Sequence, residues 1–202
     1  RPGATLRLVK RIPSAAGLGG GSSDAAAALA AANAAWKLGW STAQLESLGA
    51  ELGSDVPAFF ARGPAVCRGR GEKTEPAASA GLLHFVVVRP PAGLSTRDVY
   101  RACRPAVRPR TLAPLLDALA RGDLAAAGRR LFNRLEMAAE DLSPWVDRLR
   151  RELTRTDCPG HLMTGSGTCY FGLCRHARHA RRVARYLQAR NMGVVFATGG
   201  CR

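Results

Sequence analysis

Acidic residues are scarce in this chain: 15 Asp and Glu stand against 30 Lys and Arg in 202 residues, for a formal net charge of +15. Lysine is nearly absent too, because 27 of the 30 basic residues are arginine. A surplus of this size invites a polyanion as partner. However, the arginines run from Arg1 to Arg202 with no aromatic interleaving and no nucleic-acid motif, and aromatics make up only 6% of the chain. The charge therefore reads as the codon habit of a GC-rich genome, with part of it serving anionic ligands. Nucleic acid is not the expected partner, and a basic polyanion-binding protein is the alternative reading.

Long apolar runs are missing as well. Nothing approaches the ~20 residues of a membrane helix, and no secretory leader is visible. None of the six cysteines (Cys67, Cys103, Cys158, Cys169, Cys174, Cys201) belongs to a C-x-x-C pair. Cys169 and Cys174, followed by His176 and His179, have a spacing that metal ligands also show. Cys169, though, sits in the apolar run 168–174, which reads as a buried strand. Reduced, structural thiols are the expectation, and with them a reducing cytoplasm. Neither the G-x-x-x-x-G-K-S/T phosphate loop nor the G-x-G-x-x-G dinucleotide fingerprint occurs.

What is present is a different glycine loop. Pro13-Ser14-Ala15-Ala16-Gly17-Leu18-Gly19-Gly20-Gly21-Ser22-Ser23-Asp24 places four glycines within five positions and then feeds an unbroken alanine-rich run. Glycine tolerates φ > 0, alanine is the strongest helix former, and Ser22, Ser23 and Asp24 are good N-cap residues. A glycine loop opening a helix offers unpaired N–H groups and the positive end of the helix dipole, where phosphate binds. Lys10, just upstream, is placed to reach the same anion. The Ser22 and Ser23 hydroxyls are candidate hydrogen-bond donors or weak Mg²⁺ ligands.

The rest of the chain reads as strands alternating with helices, an α+β protein of two subdomains divided near residue 88. Strands are expected at 5–10, 65–68, 82–88, 169–173 and 194–197. Helices are expected at 23–38 (with Gly39 as stop), 42–52 (Ser41 as cap, with Gln44 completing a capping box), 96–102, 112–121, 124–139, 144–155 and 176–190. Glycine-punctuated turns are expected at 69–72 and 162–168. Asp55, between Gly53 and Pro57, is by default a turn residue. The phenylalanines that follow suggest a partly apolar pocket, in which a carboxylate would serve as general base.

Several of these stretches together resemble the GHMP small-molecule kinases, which include galactokinase, homoserine kinase, mevalonate kinase and phosphomevalonate kinase. Lys10 to Ala26, with its GLGGGSSDAA core, resembles the family's second motif in the form of the branch acting on 4-diphosphocytidyl-2-C-methyl-D-erythritol. Leu52-Gly53-Ser54-Asp55-Val56-Pro57 is similar to the branch's LGxDVP segment, and Gly69-Arg70-Gly71-Glu72 to its G-x-G-E turn. Met163 to Cys169 is similar to the superfamily's C-terminal glycine motif.

The resemblance implies a GHMP kinase-like two-subdomain α+β fold and ATP-dependent phosphorylation of the 2-hydroxyl of that substrate, in non-mevalonate isoprenoid precursor synthesis. It implies ATP and Mg²⁺ as cofactors and a small-molecule substrate. It carries Pro13 to Ser23, with Lys10, over as the ATP loop and Asp55 as the catalytic base. Tyr100 falls where the branch has an aromatic that stacks on cytosine, against a plain reading as a core aromatic on a helix face. Gly165, Ser166 and Gly167 are expected to close over substrate or to support the ATP loop. The Mg²⁺ ligands and the oligomeric state are not given. A kinase of the mevalonate or homoserine type is the alternative within the family. Family members carry a further stretch before this point, with a lysine that partners the base. Without it, the expectation is an exposed edge strand near residues 5–9 and weak activity of these 202 residues alone.

Overall fold

The computed structural model describes residues 3–13, 16–61, 63–77 and 81–200. Its chain divides into two compact units, one made of residues 1–14 and 19–77, the other of 15–18 and 78–202.

The smaller unit is built on α1 (Gly20–Ala35) and α2 (Thr42–Leu52), followed by a 3-10 turn (Pro57–Phe60) and a hairpin of β1 (Ala65–Arg68) and β2 (Lys73–Pro76). Lys37 at φ 50° ends α1, and the Leu38 N–H reaches back to the Asn33 carbonyl at 3.1 Å. This is a Schellman-type stop that comes earlier than the expected one at Gly39. Asn33 then ties both backbone groups of Trp40 to its side-chain amide. The capping box at Ser41 and Gln44 forms as expected. Leu45, Val56 and Val66 supply the buried apolar residues, with Ala26 from α1.

Two expectations fail in this unit. Residues 3–11 form no strand, and Leu6, Leu8 and Val9 are 76%, 65% and 64% exposed. Alternation supplies an apolar face but not a partner, and no strand among the described residues pairs with this segment. β2 was not expected, because Lys-Thr-Glu-Pro has almost no apolar content. It exists as the return arm of the hairpin, in register Arg68↔Lys73 to Ala65↔Pro76.

The larger unit is a four-stranded antiparallel sheet, in the order β4 (Gly160–Met163), β5 (Tyr170–Cys174), β3 (His84–Arg89), β6 (Val194–Gly199). Its helices are α3 (Thr96–Ala102), α4 (Ala113–Ala120), α5 (Leu124–Arg130), α6 (Leu135–Leu142), α7 (Pro144–Thr154) and α8 (Ala177–Ala189). α8 packs on β3, β5 and β6, and α7 on β4 and β5. Alternation along β3 sends Val86 and Val88 into this helix-covered layer, where they meet Tyr170, Leu149, Leu153, Val183 and Leu187. No helix among the described residues is long and apolar enough to cross a membrane.

The single helix expected at 124–139 is two helices, broken at 131–134. Asn133 is the cause. Its side chain leaves the helical path to bond other backbone groups, and its Oδ1 accepts the Leu135 N–H at 3.0 Å. β4 was read as part of a turn. Its ladder to β5, Gly160↔Leu173 to Met163↔Tyr170, makes it an edge strand.

The candidate phosphate loop and its supporting turns

Ser14 and Ala15, expected in the ATP loop, lie outside the described residues. From Gly19 onward the loop belongs to the smaller unit. Gly19, at φ 65°, is the N-cap of α1, and no side chain caps the helix. Ser22, Ser23 and Asp24 therefore lie inside the first turns rather than at the cap, which corrects the expectation. A left-handed glycine turns the chain into the helix three residues early. The Ser23 N–H bonds the Gly19 carbonyl at 2.9 Å. The N–H groups of Gly20, Gly21 and Ser22 come before that first bond and have no helical acceptor. The Ser23 hydroxyl is committed to the Gly20 carbonyl at 3.0 Å.

The glycines differ in what they accommodate. A Cβ on Gly19 would meet the Phe59 ring at 2.6 Å, and one on Gly20 would meet Ile12 at 2.7 Å. A Cβ on Gly21 would meet nothing within 4 Å. Packing thus demands glycine at 19 and 20. At 21 the space a side chain would take is open among the described residues. Lys10 is ion-paired with Asp24, which anchors its ammonium beside the opening turns of α1.

Asp55 lies in the turn that leads into the 3-10 segment. Val56 and Pro57 point inward and are buried, while Asp55 itself is exposed. The expected apolar pocket around the carboxylate is not there, because its apolar neighbours fill the core beneath it instead. The 69–72 turn approaches from the hairpin. Gly71, at φ 124°, is strained for any side chain and tightly placed: a Cβ would lie 3.0 Å from the Ser54 carbonyl oxygen and 3.1 Å from Asp55 Oδ1. Glu72 closes this turn by accepting the Arg70 N–H at 2.7 Å. Its own backbone N–H and that of Arg70 hold its carboxyl below the usual range.

In the larger unit, residues 16–18 pack against the 164–168 turn. The Thr164 carbonyl oxygen lies 2.2 Å from where a Gly17 Cβ would be, and the Thr164 hydroxyl reaches the Ala16 carbonyl at 3.4 Å. The turn closes on itself through Thr164 N–H to the Cys169 carbonyl, 2.8 Å, and Gly167 N–H to the Thr164 carbonyl, 2.9 Å. Asn133 Nδ2 donates to the carbonyls of Met163 (3.0 Å) and Gly165 (2.7 Å). The Ser166 hydroxyl meets that of Thr96 at 2.9 Å, and Thr168 donates to the Ala92 carbonyl at 2.6 Å. Beyond Thr96 on α3, Val99 is buried and Tyr100 is 62% exposed. The core reading of Tyr100 is thereby excluded.

Glu136, one turn after Asn133, has its carboxyl raised to about 7 by burial and by the neighbouring Glu140. Sequence reasoning missed Asn133 and Glu136, and had Thr164 only as a member of the 163–169 motif. The available signal was an asparagine, a weak helix former, between Leu131-Phe132 and Leu135 in an otherwise helical run.

The family model of the GHMP kinase N-terminal domain matches residues 2–63, and that of the C-terminal domain residues 115–192. The 4-diphosphocytidyl-2-C-methyl-D-erythritol kinase of Pelotomaculum thermopropionicum is 44% identical over 186 residues, covering 91% of this chain and 65% of its own length. The kinase of the same name from a Nocardioides species is 42% identical over 202 residues, covering 96% of this chain and 67% of its own. A crystal structure of 4-(cytidine 5'-diphospho)-2C-methyl-D-erythritol kinase superposes with a TM-score of 0.80 at 39% identity, over 95% of this chain and 69% of that one. Homoserine kinase from Cytophaga hutchinsonii, at 18% identity and a TM-score of 0.73, shares the fold. The chain spans 62–65% of the length of three of the curated relatives it matches. With both domain models matched in chain order, and relatives near 40% identical along nearly its whole length, the chain belongs to the 4-diphosphocytidyl-2-C-methyl-D-erythritol kinase family of the GHMP kinases.

Proposed function

We propose that the protein transfers the γ-phosphoryl group of ATP to the 2-hydroxyl of 4-diphosphocytidyl-2-C-methyl-D-erythritol. The observation that carries this reading is the open N-terminus of α1. Three consecutive N–H groups lack helical acceptors there, and the space beside Gly21 is open among the described residues. Phosphoryl transfer needs positioning and charge neutralisation more than covalent help. The N–H groups of Gly20 to Ser22 and the helix dipole bind the phosphates. Residues 16–18, held by the Thr164–Gly165 turn, carry the first half of the loop. Asp55, exposed and without an ion pair or hydrogen bond on its carboxylate among the described residues, accepts the proton of the attacking hydroxyl. Tyr100 offers an exposed ring for the cytosine.

Mg²⁺ suits oxygen ligands and is bound largely through substrate phosphates. In this chain the Ser22 hydroxyl is the donor left for it, since Ser23 is bonded to Gly20 and Asp24 to Lys10. The ion's contribution is neutralisation of phosphate charge.

The test is coupled ADP release with three alcohols: the diphosphocytidyl substrate, mevalonate and homoserine. Turnover is expected only with the first. Asp55→Asn is expected to lower kcat about 10²–10⁴-fold while ATP affinity stays unchanged. Equal turnover by Asp55→Asn, or a preference for either other alcohol, would overturn the reading.

A further inference from the structure

We propose that Cys158, Cys174 and His179 form a binding site for Zn²⁺ in the larger unit. Cys158 lies in the loop before β4, Cys174 ends β5, and His179 is in the first turn of α8. Their ligand atoms all lie within 4.8 Å of one another. The two sulfurs are 3.9 Å apart. Two thiolates at Zn–S of about 2.3 Å in a tetrahedral shell stand about 3.8 Å apart, so the sulfurs already have the separation the metal requires. Two thiolates and an imidazole favour Zn²⁺ over hard cations.

The surroundings fit as well. His179 Nε2 lies 3.0 Å from Asp157 Oδ1, and its Nδ1 accepts the Arg175 N–H at 3.2 Å. A carboxylate on the second nitrogen is the usual support of a metal-binding histidine. Nδ1 is the nitrogen free of a proton, so binding exchanges its bond from Arg175 for the metal, while Nε2–H keeps donating to Asp157 and orients the ring. Asp157 is itself clamped by Arg182 at 2.6 Å and by Arg175 at 3.1 Å. Two thiolates, a neutral imidazole and Zn²⁺ sum to zero charge, so the nearby arginines oppose nothing. Binding releases the two thiol protons. A cleft of about 780 Å³, lined by Asp157, His179 and five arginines, borders the histidine side of the cluster, and neither cysteine lines it.

In the sequence Cys169, Cys174, His176 and His179 share a spacing that metal ligands also show, with reduced structural thiols as the expectation, and Cys158 is not among them. In the structure Cys169 is buried outside the cluster, and His176 caps α8 by accepting the His179 N–H. Cys158 takes part only because the turn into β4 returns it beside β5. This inference does not depend on the kinase reading.

The experiment is titration of the reduced, metal-stripped protein with Co²⁺. A thiolate-to-cobalt charge-transfer absorption is expected to saturate at one equivalent and to vanish when Zn²⁺ is added. Cys158→Ala, at a half-buried position, is expected to lose the absorption, and Cys103→Ser to keep it. Asp157→Asn is expected to weaken Co²⁺ affinity about 10–100-fold. As a second measurement, Zn²⁺ at ~100 times its Kd is expected to raise the melting temperature by about 5 °C or more in the parent protein and not in Cys158→Ala. No absorption at one equivalent, or an undiminished one in folded Cys158→Ala, would overturn the proposal.

Discussion

The Thr164 carbonyl oxygen occupies the space that a side chain on Gly17 would need, 2.2 Å from the ideal Cβ position. Gly17 also has φ 69°. Any other residue there meets left-handed strain of about 1–2 kcal/mol and a clash with backbone that cannot move aside. Gly17→Ala should therefore lower stability by about 2 kcal/mol or more, read from the denaturant midpoint. Gly21→Ala should do the opposite. It lies in the helix with nothing near its Cβ, so alanine should raise stability by up to ~1 kcal/mol. It should nonetheless weaken ATP binding about tenfold, or roughly 1.4 kcal/mol. Unchanged ATP affinity in Gly21→Ala would remove the ligand-approach explanation for that glycine.

Asn133 contributes two donors and one acceptor to backbone groups of the 163–165 turn and α6. Asn133→Ala leaves these partly buried groups unpaired, at a cost of about 1–3 kcal/mol. Asn133→Asp should be at least as damaging, because it keeps the acceptor for Leu135 but turns a negative charge toward two carbonyls. Thermal unfolding of the two variants side by side checks the order.

Glu136 makes stability depend on pH. Its carboxyl titrates at about 7 in the folded chain, against 4.5 without the fold. The folded state thus prefers the protonated form. The associated stability is fully present below 4.5 and is lost as pH rises through 7. Glu136→Gln should abolish this dependence and raise stability near pH 8 by about 1–2 kcal/mol, allowing for solvent screening. Denaturation midpoints at about pH 5 and pH 8 measure it, and a parallel loss in both proteins would contradict it.

Tyr100 is exposed enough that its removal should leave the melting temperature unchanged. Stacking on a base is worth about 1–3 kcal/mol, so Tyr100→Ala should raise KM for the diphosphocytidyl substrate about tenfold or more with little change in kcat. Tyr100→Phe should restore it. A melting temperature that falls with Tyr100→Ala would instead make the ring structural.

The elements most legible in the sequence were those coded by neighbours along the chain. The capping box at Ser41 and Gln44, the apolar run of β3 and the amphipathic helices α7 and α8 all rest on contacts a few residues apart. β2 and β4 were illegible because each exists through its partner's hydrogen bonds rather than its own apolar pattern. The break between α5 and α6 was illegible because Asn133 bonds carbonyls thirty and more residues away.

By itself the sequence determined that a glycine loop opens an alanine-rich helix, that Asp55 stands in a tight turn, and which kinase family these motifs resemble. Residue type and spacing suffice for that, since they set which backbone conformations are open. Only the tertiary structure decided that α1 starts at Gly20, that Gly17 rests on Thr164, that Asp55 faces outward, and that Cys158 rather than Cys169 joins Cys174 and His179. Each of these is a matter of excluded volume or of contact between segments far apart in the chain, and local propensity carries no information about such contacts.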